Sequence, residues 1–238
     1  MRPRVTVVIP FYNCPYIDRA LASVAGQTYP NVEVIVVDDG SAMHTDKIAP
    51  YANRIRYLTK SNGGTASALN SGIRQASGEY IAWLSSDDMF APQKLERQIA
   101  FMAESGSAAS FTAYTSIDGN GKVLEPHVGL AVAGRVAFLR MLSYANPING
   151  CTVVLRKELF DRAGLFNESL SYTQDYEMWL RLALHNVRFD YLPEALTFYR
   201  FHPQMGTIRN RPAVLSEFEM VRDWYKGQME SLIAQLGG

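Results

Sequence analysis

The sequence predicts an α/β fold in which helices flank a mostly parallel central sheet, with antiparallel strands added in the second half of the chain. Short apolar runs alternate with stretches at helical spacing as far as residue 104. These runs are almost continuously apolar, which is typical of strands covered by helices on both faces. Beyond them, two extended runs flank a turn-rich segment, and this arrangement favours antiparallel pairing.

Strand and helix alternate regularly in the first half of the chain. The run at 5–9 is rich in β-branched residues, and Asn13 and Pro15 then supply an N-cap and a first-turn proline for a helix. The same reasoning predicts further strands at 32–37, 55–58 and 79–84 and further helices at 66–76 and 92–104. Such alternation gives parallel strands joined by right-handed crossovers. We therefore interpret residues 1–115 as a Rossmann-like nucleotide-binding half.

The second half is more mixed. Extended runs at 109–117 and 122–124 flank Asp118-Gly119-Asn120-Gly121, a composition that favours a hairpin turn. The segments 126–134 and 146–150 are rich in small or turn-forming residues, and we expect them to be loops that cover a substrate. The remaining predicted elements are a strand at 151–155, a helix at 174–184 and an extended segment at 188–201.

The C-terminal tail carries an apolar stripe at spacings of three and four residues, which predicts an amphipathic helix. The stripe consists of Val214, Phe218, Val221, Tyr225, Met229, Leu232 and Leu236. Such a stripe packs against the protein's own core, a partner helix or a membrane surface, and the mixed charges around it favour the first of these.

Composition and charge exclude several classes of protein. Lys plus Arg and Asp plus Glu number 23 each in 238 residues, so the chain lacks the basic excess that a nucleic-acid partner requires. Cys14 and Cys151 form no CxxC pair, which fits a reducing compartment. No apolar run approaches the ~20 residues that span a bilayer, and the first run stops at Pro10 without a cleavage site. We expect a soluble, cytoplasmic protein.

Two acidic pairs follow predicted strands, at the sheet edge where open α/β sheets bind ligands. Asp38 and Asp39 end the strand at 32–37, and there they either cap the next turn or contact a ligand. Asp87 and Asp88 end the strand at 79–84, where adjacent like charges repel unless a cation compensates. We expect a hard cation, Mg²⁺ or Mn²⁺, to bridge them to a diphosphate. In the alternative interpretation, Asp88 caps the following helix and Asp87 is solvated.

Four further positions allow both a functional and a purely structural interpretation. Tyr12 offers a ring for stacking, while one carboxylate of the pair at 38–39 accepts a hydrogen bond from a base such as uracil, although a lone tyrosine is more often a core or surface residue. The glycines of 62–64 allow close backbone approach to a ligand or form an ordinary turn. Asp175 begins a helix, where acidic residues are favoured as caps. His202 is a lone histidine, which is usually structural or solvated.

Taken together, five motifs in this order closely resemble family 2 of the inverting glycosyltransferases. They are Val8-Ile9-Pro10-Phe11-Tyr12-Asn13, Val36-Val37-Asp38-Asp39-Gly40-Ser41, Asn62-Gly63-Gly64, Gly78 to Asp88 and Gln174-Asp175-Tyr176-Glu177-Met178-Trp179-Leu180-Arg181. The resemblance covers roughly residues 4–202. It implies a GT-A fold with a nucleotide-sugar-binding half at 1–115, an acceptor-binding and catalytic-base half at 116–205 with the antiparallel extension, and a helical tail at 206–238.

The resemblance also implies a role for each matching residue. Asp175 resembles the general base, while Asp87, Asp88 and His202 resemble the contacts of a Mn²⁺ or Mg²⁺ ion. The nucleotide contacts implied in the same way are Pro10, Tyr12, Asp39, Asn62, Gly64, Asn70 and Ser86. The chain departs from the family pattern at Ser85, which replaces the first carboxylate of the DxD motif, and at Leu69, where many relatives carry arginine.

The activity that the resemblance implies is an inverting transfer of a sugar from a nucleotide-diphosphate sugar, a UDP-hexose, to a hydroxyl of a glycan or lipid-linked acceptor in cell-surface polysaccharide synthesis. A nucleotidyltransferase is disfavoured because 11–15 is not a glycine-rich, basic phosphate loop. A nucleotide-sugar- or glycan-binding module that has lost catalysis stays open because of Ser85. Peripheral contact with the inner face of the membrane and a homodimer also stay open.

Overall fold

One sheet runs through the whole of the computed structural model, which describes residues 2–130, 132 and 134–237. Its nine strands are ordered β3-β2-β1-β4-β8-β6-β9-β5, with β7 paired to β6. The strands are β1 (Val5–Phe11), β2 (Val32–Asp38), β3 (Arg56–Thr59), β4 (Tyr80–Trp83), β5 (Met89–Phe90), β6 (Ala109–Asp118), β7 (Val123–Val128), β8 (Val154–Arg156) and β9 (Phe189–Phe201). The predicted α/β class is confirmed.

The first half of the sheet is parallel, as predicted. β1 lies between β2 and β4 and is parallel to both, and β2 is parallel to β3. The register aligns Val5 with Val32 and Phe11 with Asp38, so β1 and β2 end side by side. Because the carboxyl ends of parallel strands share one edge, the loops after β1, β2 and β4 meet there.

The second half mixes orientations. β8 pairs antiparallel with β4 and with β6, whereas the long strand β9 runs parallel to β6. β6 and β7 form the predicted hairpin around the turn at Asp118 to Gly121. The strand predicted at 151–155 is shorter than expected, because Gly150–Thr152 forms a 3₁₀ turn before β8 begins.

Helices cover both faces of the sheet. They are α1 (Ile17–Ala25), α2 (Gly64–Gln75), α3 (Lys94–Ser105), α4 (Arg135–Leu142), α5 (Glu158–Ala163), α6 (Gln174–Leu184), α7 (Gly206–Arg209) and α8 (Arg211–Gln235), with a 3₁₀ helix at Thr45–Arg54. The 3₁₀ helix at Thr45–Arg54, α4 and α5 were not predicted, whereas α7 and α8 lie within the predicted helical tail at 206–238. Within the predicted loop 126–134, residues 126–128 belong to β7, and residues 131 and 133 lie outside the described part.

Two apolar clusters fill the space on the two sides of the sheet. Val8 and Val37 belong to one cluster, whereas their chain neighbours Val7 and Val36 belong to the other. Successive residues of a strand point to opposite faces, so strands covered on both faces are apolar throughout. This is the physical reason for the uninterrupted apolar runs in the sequence.

The C-terminal helix α8 packs on the protein's own core. Val221 and Met229 are fully buried, and other residues of the predicted stripe, Phe218, Tyr225 and Leu232, pack against the same cluster. Leu236 at the end of the stripe is 38% exposed. Of the three partners considered for the stripe, the core is the one in contact with it. Across residues 2–130, 132 and 134–237, none of the helices is both long enough and apolar enough to cross a membrane.

Candidate active site

A cavity of about 1140 Å³ lies at the carboxyl ends of the parallel strands. Pro10, Tyr12 and Asp39 line it from the loops after β1 and β2, and Asp87 lines it from the loop after β4. The second half of the chain contributes Asp175 and His202 to the same cavity. The topology therefore brings together residues that are far apart in sequence, such as Pro10 and His202.

Asp39 combines the two roles considered for it, because it caps a helix and also faces the cavity. Asp39 is 3% exposed. Its carboxylate accepts hydrogen bonds from the backbone N–H groups of Gly63 at 3.0 Å and Gly64 at 2.7 Å. These amides begin α2, where the helix dipole favours a negative charge. Lys60 Nζ lies 2.7 Å from Asp39 Oδ1. A carboxylate has about four acceptor positions, so Asp39 retains capacity for a ligand.

The neighbouring Asp38 has a local structural role. Its Oδ1 accepts a hydrogen bond from Ser41 N at 2.8 Å, and its Oδ2 accepts one from the Tyr57 hydroxyl. The loops after β1 and β2 are also tied together by Asn13, whose Oδ1 accepts from Ala42 N and Met43 N, both at 2.8 Å. Asn13 was predicted only as a helix cap.

The predicted nucleotide contacts differ in where they lie. Tyr12 is 55% exposed on the cavity wall, so its ring is available for stacking. Asn62, Gly64 and Ser86 also line the cavity, and Asn62 Nδ2 donates to the carbonyl of Asp39 at 3.0 Å.

Asn70 lies elsewhere, which corrects the expectation for this residue. It is 1% exposed, its Nδ2 donates to the Phe166 carbonyl at 2.9 Å and to Glu168, and its Oδ1 accepts from Phe166 N at 2.9 Å. Because both ends of the amide already have partners in the chain, Asn70 anchors the loop that follows α5.

Asp87 is paired with His202 in the cavity. Asp87 Oδ2 lies 3.0 Å from His202 Nε2, and the hydrogen bond that Asp87 accepts from the imidazole raises the pKa of His202 above its usual value despite its burial. The alternative in which Asp87 is simply solvated is wrong. The pairing joins residues 115 positions apart.

Asp88 is held by the chain itself. It is 1% exposed, and its Oδ1 accepts a hydrogen bond from Arg200 N at 2.8 Å, so it does not cap the following helix. Its Oδ2 is buried and lacks a hydrogen-bond partner among the described residues. Burial, followed by repulsion from Asp87, raises the pKa of Asp88 well above its usual value. Because Asp88 is buried and its Oδ1 is already engaged by Arg200 N, Asp87 and His202 are the better candidates to hold an ion.

Arg200 is a site residue that the sequence reasoning missed. Its guanidinium is buried and donates to the carbonyls of Asp87 at 2.8 Å, Asp118 at 3.1 Å and Gly119 at 3.2 Å. It also lies over the ring of Tyr16, 4.6 Å from the centroid. A charged residue inside the aromatic stretch Phe198-Tyr199-Arg200-Phe201 was the available signal. Arg200 thereby fixes the loop that carries Asp87.

Ser85, which replaces the first carboxylate of the motif, is engaged by Cys151. Cys151 Sγ lies 3.2 Å from both Ser85 Oγ and Ser85 N. Burial raises the pKa of Cys151 well above its usual value, so the thiol stays protonated. Both Cys14 and Cys151 are free thiols, as expected from their spacing.

The donor set at Asp87 and His202 fits a divalent cation that shares its coordination with a ligand. Within the described ranges there is no group of three or more His, Cys, Asp or Glu side chains that could hold an ion by themselves. Mg²⁺ and similar ions are commonly held by one or two carboxylates together with substrate phosphates and water. One carboxylate and one imidazole are compatible with Mn²⁺ as well.

Asp175 lies on the cavity wall at the start of α6. Its Oδ1 accepts from Tyr176 N at 2.7 Å, and its Oδ2 accepts from Asn146 Nδ2 at 3.2 Å. Burial raises the pKa of Asp175 to about 6, although these two hydrogen bonds oppose the rise. The carboxylate is therefore ionised at neutral pH yet basic enough to accept a proton. Asp175 thus caps the helix and has the chemistry of a general base.

The loop predicted at 146–150 does line the cavity, whereas no residue of the described part of 126–134 does. The sequence reasoning also missed the contribution of the tail. Met205, Arg209, Val214 and Phe218 of the C-terminal segment line the cavity near the loop that leads into Asp175. The apolar stripe predicted the helix but not its position beside the cavity.

Comparison with known proteins agrees with this architecture. The family model "Glycosyl transferase family 2" matches residues 6–163. An uncharacterized glycosyltransferase of Rickettsia prowazekii is 36% identical over 97% of this chain and 73% of its own length. A Rickettsia felis relative is 36% identical over 86% of this chain, but the matched region is only 35% of that longer protein.

More distant relatives carry more specific names. The Escherichia coli enzyme WfgD, named a UDP-Glc:alpha-D-GlcNAc-diphosphoundecaprenol beta-1,3-glucosyltransferase, is 30% identical over 76% of this chain and 70% of its own length. Staphylococcus aureus TarS, solved with UDP-GlcNAc, aligns with a TM-score of 0.71 at 22% identity over 98% of this chain and 71% of that chain. The likeness to TarS shows that the fold is GT-A. With two thirds of its length matched by the family model, the chain belongs to glycosyl transferase family 2.

Proposed function

We propose that this chain transfers a hexose from a UDP-sugar, with inversion at the anomeric carbon, to a hydroxyl group of a glycan or lipid-linked saccharide. The observation that carries the proposal is that Asp175, with a pKa of about 6, shares one cavity with the Asp87–His202 pair and the base-binding candidates Tyr12 and Asp39. A general base and a leaving-group site are the two requirements of a single displacement.

Each group has a distinct task in this reaction. Asp175 accepts the proton of the acceptor hydroxyl while that oxygen forms a bond to the anomeric carbon. The bond between the anomeric carbon and the diphosphate breaks, and its electron pair leaves with the nucleoside diphosphate. Tyr12 holds the base by stacking, and Asp39 orients it by accepting a hydrogen bond.

Asp87 and His202 would hold a Mn²⁺ or Mg²⁺ ion. When bound there, such an ion supplies charge neutralisation for the departing diphosphate. Arg200 contributes indirectly, because it fixes the backbone carbonyl of Asp87 and thereby the direction of the carboxylate.

The names of the relatives support a role in cell-surface polysaccharide synthesis. WfgD is named for glucose transfer to a diphosphoundecaprenol-linked sugar, and Bacillus subtilis TuaG, 33% identical over 84% of this chain, is named for teichuronic acid biosynthesis. We extend the proposal to the same class of acceptor. The reaction would take place in the cytoplasm, at the inner face of the membrane when the acceptor is lipid-linked. A homodimer stays a prediction.

A second candidate is a nucleotide-sugar- or glycan-binding module without catalysis. The observation that favours it is Ser85, whose hydroxyl contacts the Cys151 thiol and supplies no negative charge to a metal. Binding without transfer would distinguish this candidate from the enzyme.

The test is release of nucleoside diphosphate from UDP-, GDP- and dTDP-sugars, with Mn²⁺ or Mg²⁺ and mixed glycan acceptors. We expect metal-dependent release from one donor, lost in both Asp87→Ala and Asp175→Asn. Asp223→Asn is a matched control, because Asp223 is exposed on α8 and pairs only with its neighbour Arg222. Measurable nucleotide binding without release from any donor would favour the binding module instead.

A further inference from the structure

A single carboxylate of the C-terminal helix holds the loop that leads into Asp175. Glu217 Oε1 accepts hydrogen bonds from Tyr172 N at 2.8 Å, Thr173 N at 2.7 Å and the Thr173 hydroxyl at 2.8 Å. Its Oε2 accepts a fourth from Ser171 N at 2.9 Å. Three consecutive backbone N–H groups are thus satisfied by one side chain from an element 44–46 positions away.

Glu217 holds the residues that lead into α6, just before the helix begins. Thr173 is the N-cap residue of α6, a position where a hydroxyl commonly accepts a hydrogen bond from the first turn. Here Thr173 makes no such bond, and its hydroxyl donates to Glu217 instead. Glu217 therefore adds a negative charge from α8 to those of Asp175 and Glu177 in the first turn of α6, where the helix dipole favours it.

The ionised form of Glu217 is stabilised at this position. Burial alone would raise its pKa, but the hydrogen bonds from Ser171, Tyr172 and Thr173 outweigh that effect and lower the pKa below its usual value. Hydrogen bonds to an ionised acceptor are about twice as strong as those between neutral groups. The loop is consequently held by charge-assisted bonds at neutral pH.

Two other contacts hold α8 against α6 on either side of this point. The rings of Phe218 and Tyr176 are stacked with centroids 4.6 Å apart, and the Tyr225 hydroxyl donates to Glu177 Oε1 at 2.6 Å. Tyr176 also donates its backbone N–H to Asp175 Oδ1. The helix therefore contacts the residues before and after Asp175.

We propose that Glu217 is a positioning residue for the transfer reaction: it fixes segment 171–173 and thereby the direction of the Asp175 carboxylate in the cavity. The proposal rests on the proposed function, since it assigns Asp175 the role of base. Glu217 acts through the loop, and the loop residues, which line the cavity, are the ones that meet the acceptor. Donor binding depends on residues of the other half of the cavity and is left intact.

The variants Glu217→Gln and Glu217→Ala test this. Glutamine keeps one acceptor oxygen but presents an NH₂ group to at least one backbone N–H, and alanine removes all four bonds. Because the lost bonds are made to a charged acceptor, we expect kcat to fall roughly tenfold in Glu217→Gln and further in Glu217→Ala. The KM for the donor should stay within about twofold of wild type.

Two control variants separate positioning from general destabilisation. Glu219→Gln makes the same charge change at an exposed position of α8 and should leave kcat unchanged. Tyr225→Phe removes the hydrogen bond to Glu177, which weakens the docking of α8 without touching segment 171–173. It should lower Tm but not kcat. In an Asp175→Asn background, Glu217→Gln should change the residual rate by less than about twofold, because both act on one step.

Amide hydrogen exchange supplies a readout that does not depend on activity. The amides of Ser171, Tyr172 and Thr173 should lose protection in Glu217→Gln but not in Glu219→Gln. Unchanged protection, or a kcat in Glu217→Gln equal to wild type, would overturn the role of Glu217. A fall in kcat in Tyr225→Phe that matches its fall in Tm would also overturn the role of Glu217, because weaker docking of α8 would then explain the loss. Full activity in Asp175→Asn would instead overturn the proposed function, even if exchange at 171–173 responds to Glu217→Gln.

Discussion

Asn146 contributes to setting the basicity of Asp175, after burial and the Tyr176 N–H, and replacing it should shift the pH dependence of the proposed transfer reaction. Asn146 Nδ2 donates to Asp175 Oδ2 at 3.2 Å, a bond that favours the ionised carboxylate and lowers its pKa. With Asn146 in place the pKa of Asp175 is about 6. Loss of the bond in Asn146→Ala raises the pKa. As the proposed base, Asp175 would work only when ionised, so the acidic limb of the rate profile should move to higher pH.

The size of the shift follows from the strength of the bond. A hydrogen bond to a charged group contributes about 1.5–3 kcal/mol, and the long distance and exposed position of Asn146 favour the lower end, which corresponds to roughly one pH unit. At pH 6 the ionised fraction would fall from about one half to about one tenth, so kcat should fall roughly fivefold. At pH 8.5 the two proteins should be nearly equal.

The assay is kcat measured from pH 5 to 9 at saturating donor, acceptor and metal. Asn146→Asp should shift the limb further than Asn146→Ala, because it adds a negative charge beside Asp175. Ser143→Ala is the control, since the Ser143 hydroxyl contacts only the nearby Arg140 carbonyl. The His202 imidazole is bonded to Asp87 and not to Asn146, so any contribution of His202 to the profile should not respond to the Asn146 substitution. An acidic limb that stays in place or moves to lower pH in Asn146→Ala would show that the bond from Asn146 does not lower the pKa of Asp175.

Three further outcomes are expected. Tyr12→Ala removes an exposed ring worth about 1–3 kcal/mol of stacking, so the donor KM should rise roughly 5- to 150-fold with an unchanged Tm; an unchanged KM would exclude Tyr12 from the base site. Asn70→Ala leaves the backbone N–H and carbonyl of Phe166 unpaired, so the free energy of unfolding measured with urea should fall by about 2–5 kcal/mol while the donor KM stays unaltered. A raised KM at full stability would instead indicate that Asn70 contacts the ligand. Gly150→Ala places a Cβ 2.2 Å from the ring of Trp83 and should cost about 1–3 kcal/mol, visible as a lower Tm; an unchanged Tm would mean that the ring moves freely.

Local patterns predicted much of the fold and the first half of the site. The apolar runs and turn residues around β1, β2 and β4 identified three parallel strands, because side-chain period and turn chemistry are properties of neighbouring residues. Asp39 and Asp87 follow such strands directly, so the cavity edge was predictable from their positions alone. The 3₁₀ helix at Thr45–Arg54 and helix α5 were missed, since short helices leave little periodicity to detect.

The interpretation of Asn70 failed for a different reason. Its position next to the motif at 62–64 is the same whether its amide meets a phosphate or the backbone of Phe166, 96 residues later. Arg200 and Glu217 were likewise not predicted as site residues, because their partners, Asp87 and segment 171–173, lie far from them in sequence. A side chain's partner across the fold is not encoded in its neighbours.

The sequence alone determined the α/β class, the parallel first half and the residue types at the sheet edge, because each of these follows from spacing along a few residues. Which of those residues come into contact depends on the tertiary structure. The strand order β4-β8-β6-β9 brings His202 to Asp87, and the packing of α8 on α6 brings Glu217 to the loop before Asp175. Strand order and helix docking are set by the burial of apolar surface over the whole chain, so the catalytic geometry emerges only when that core is assembled.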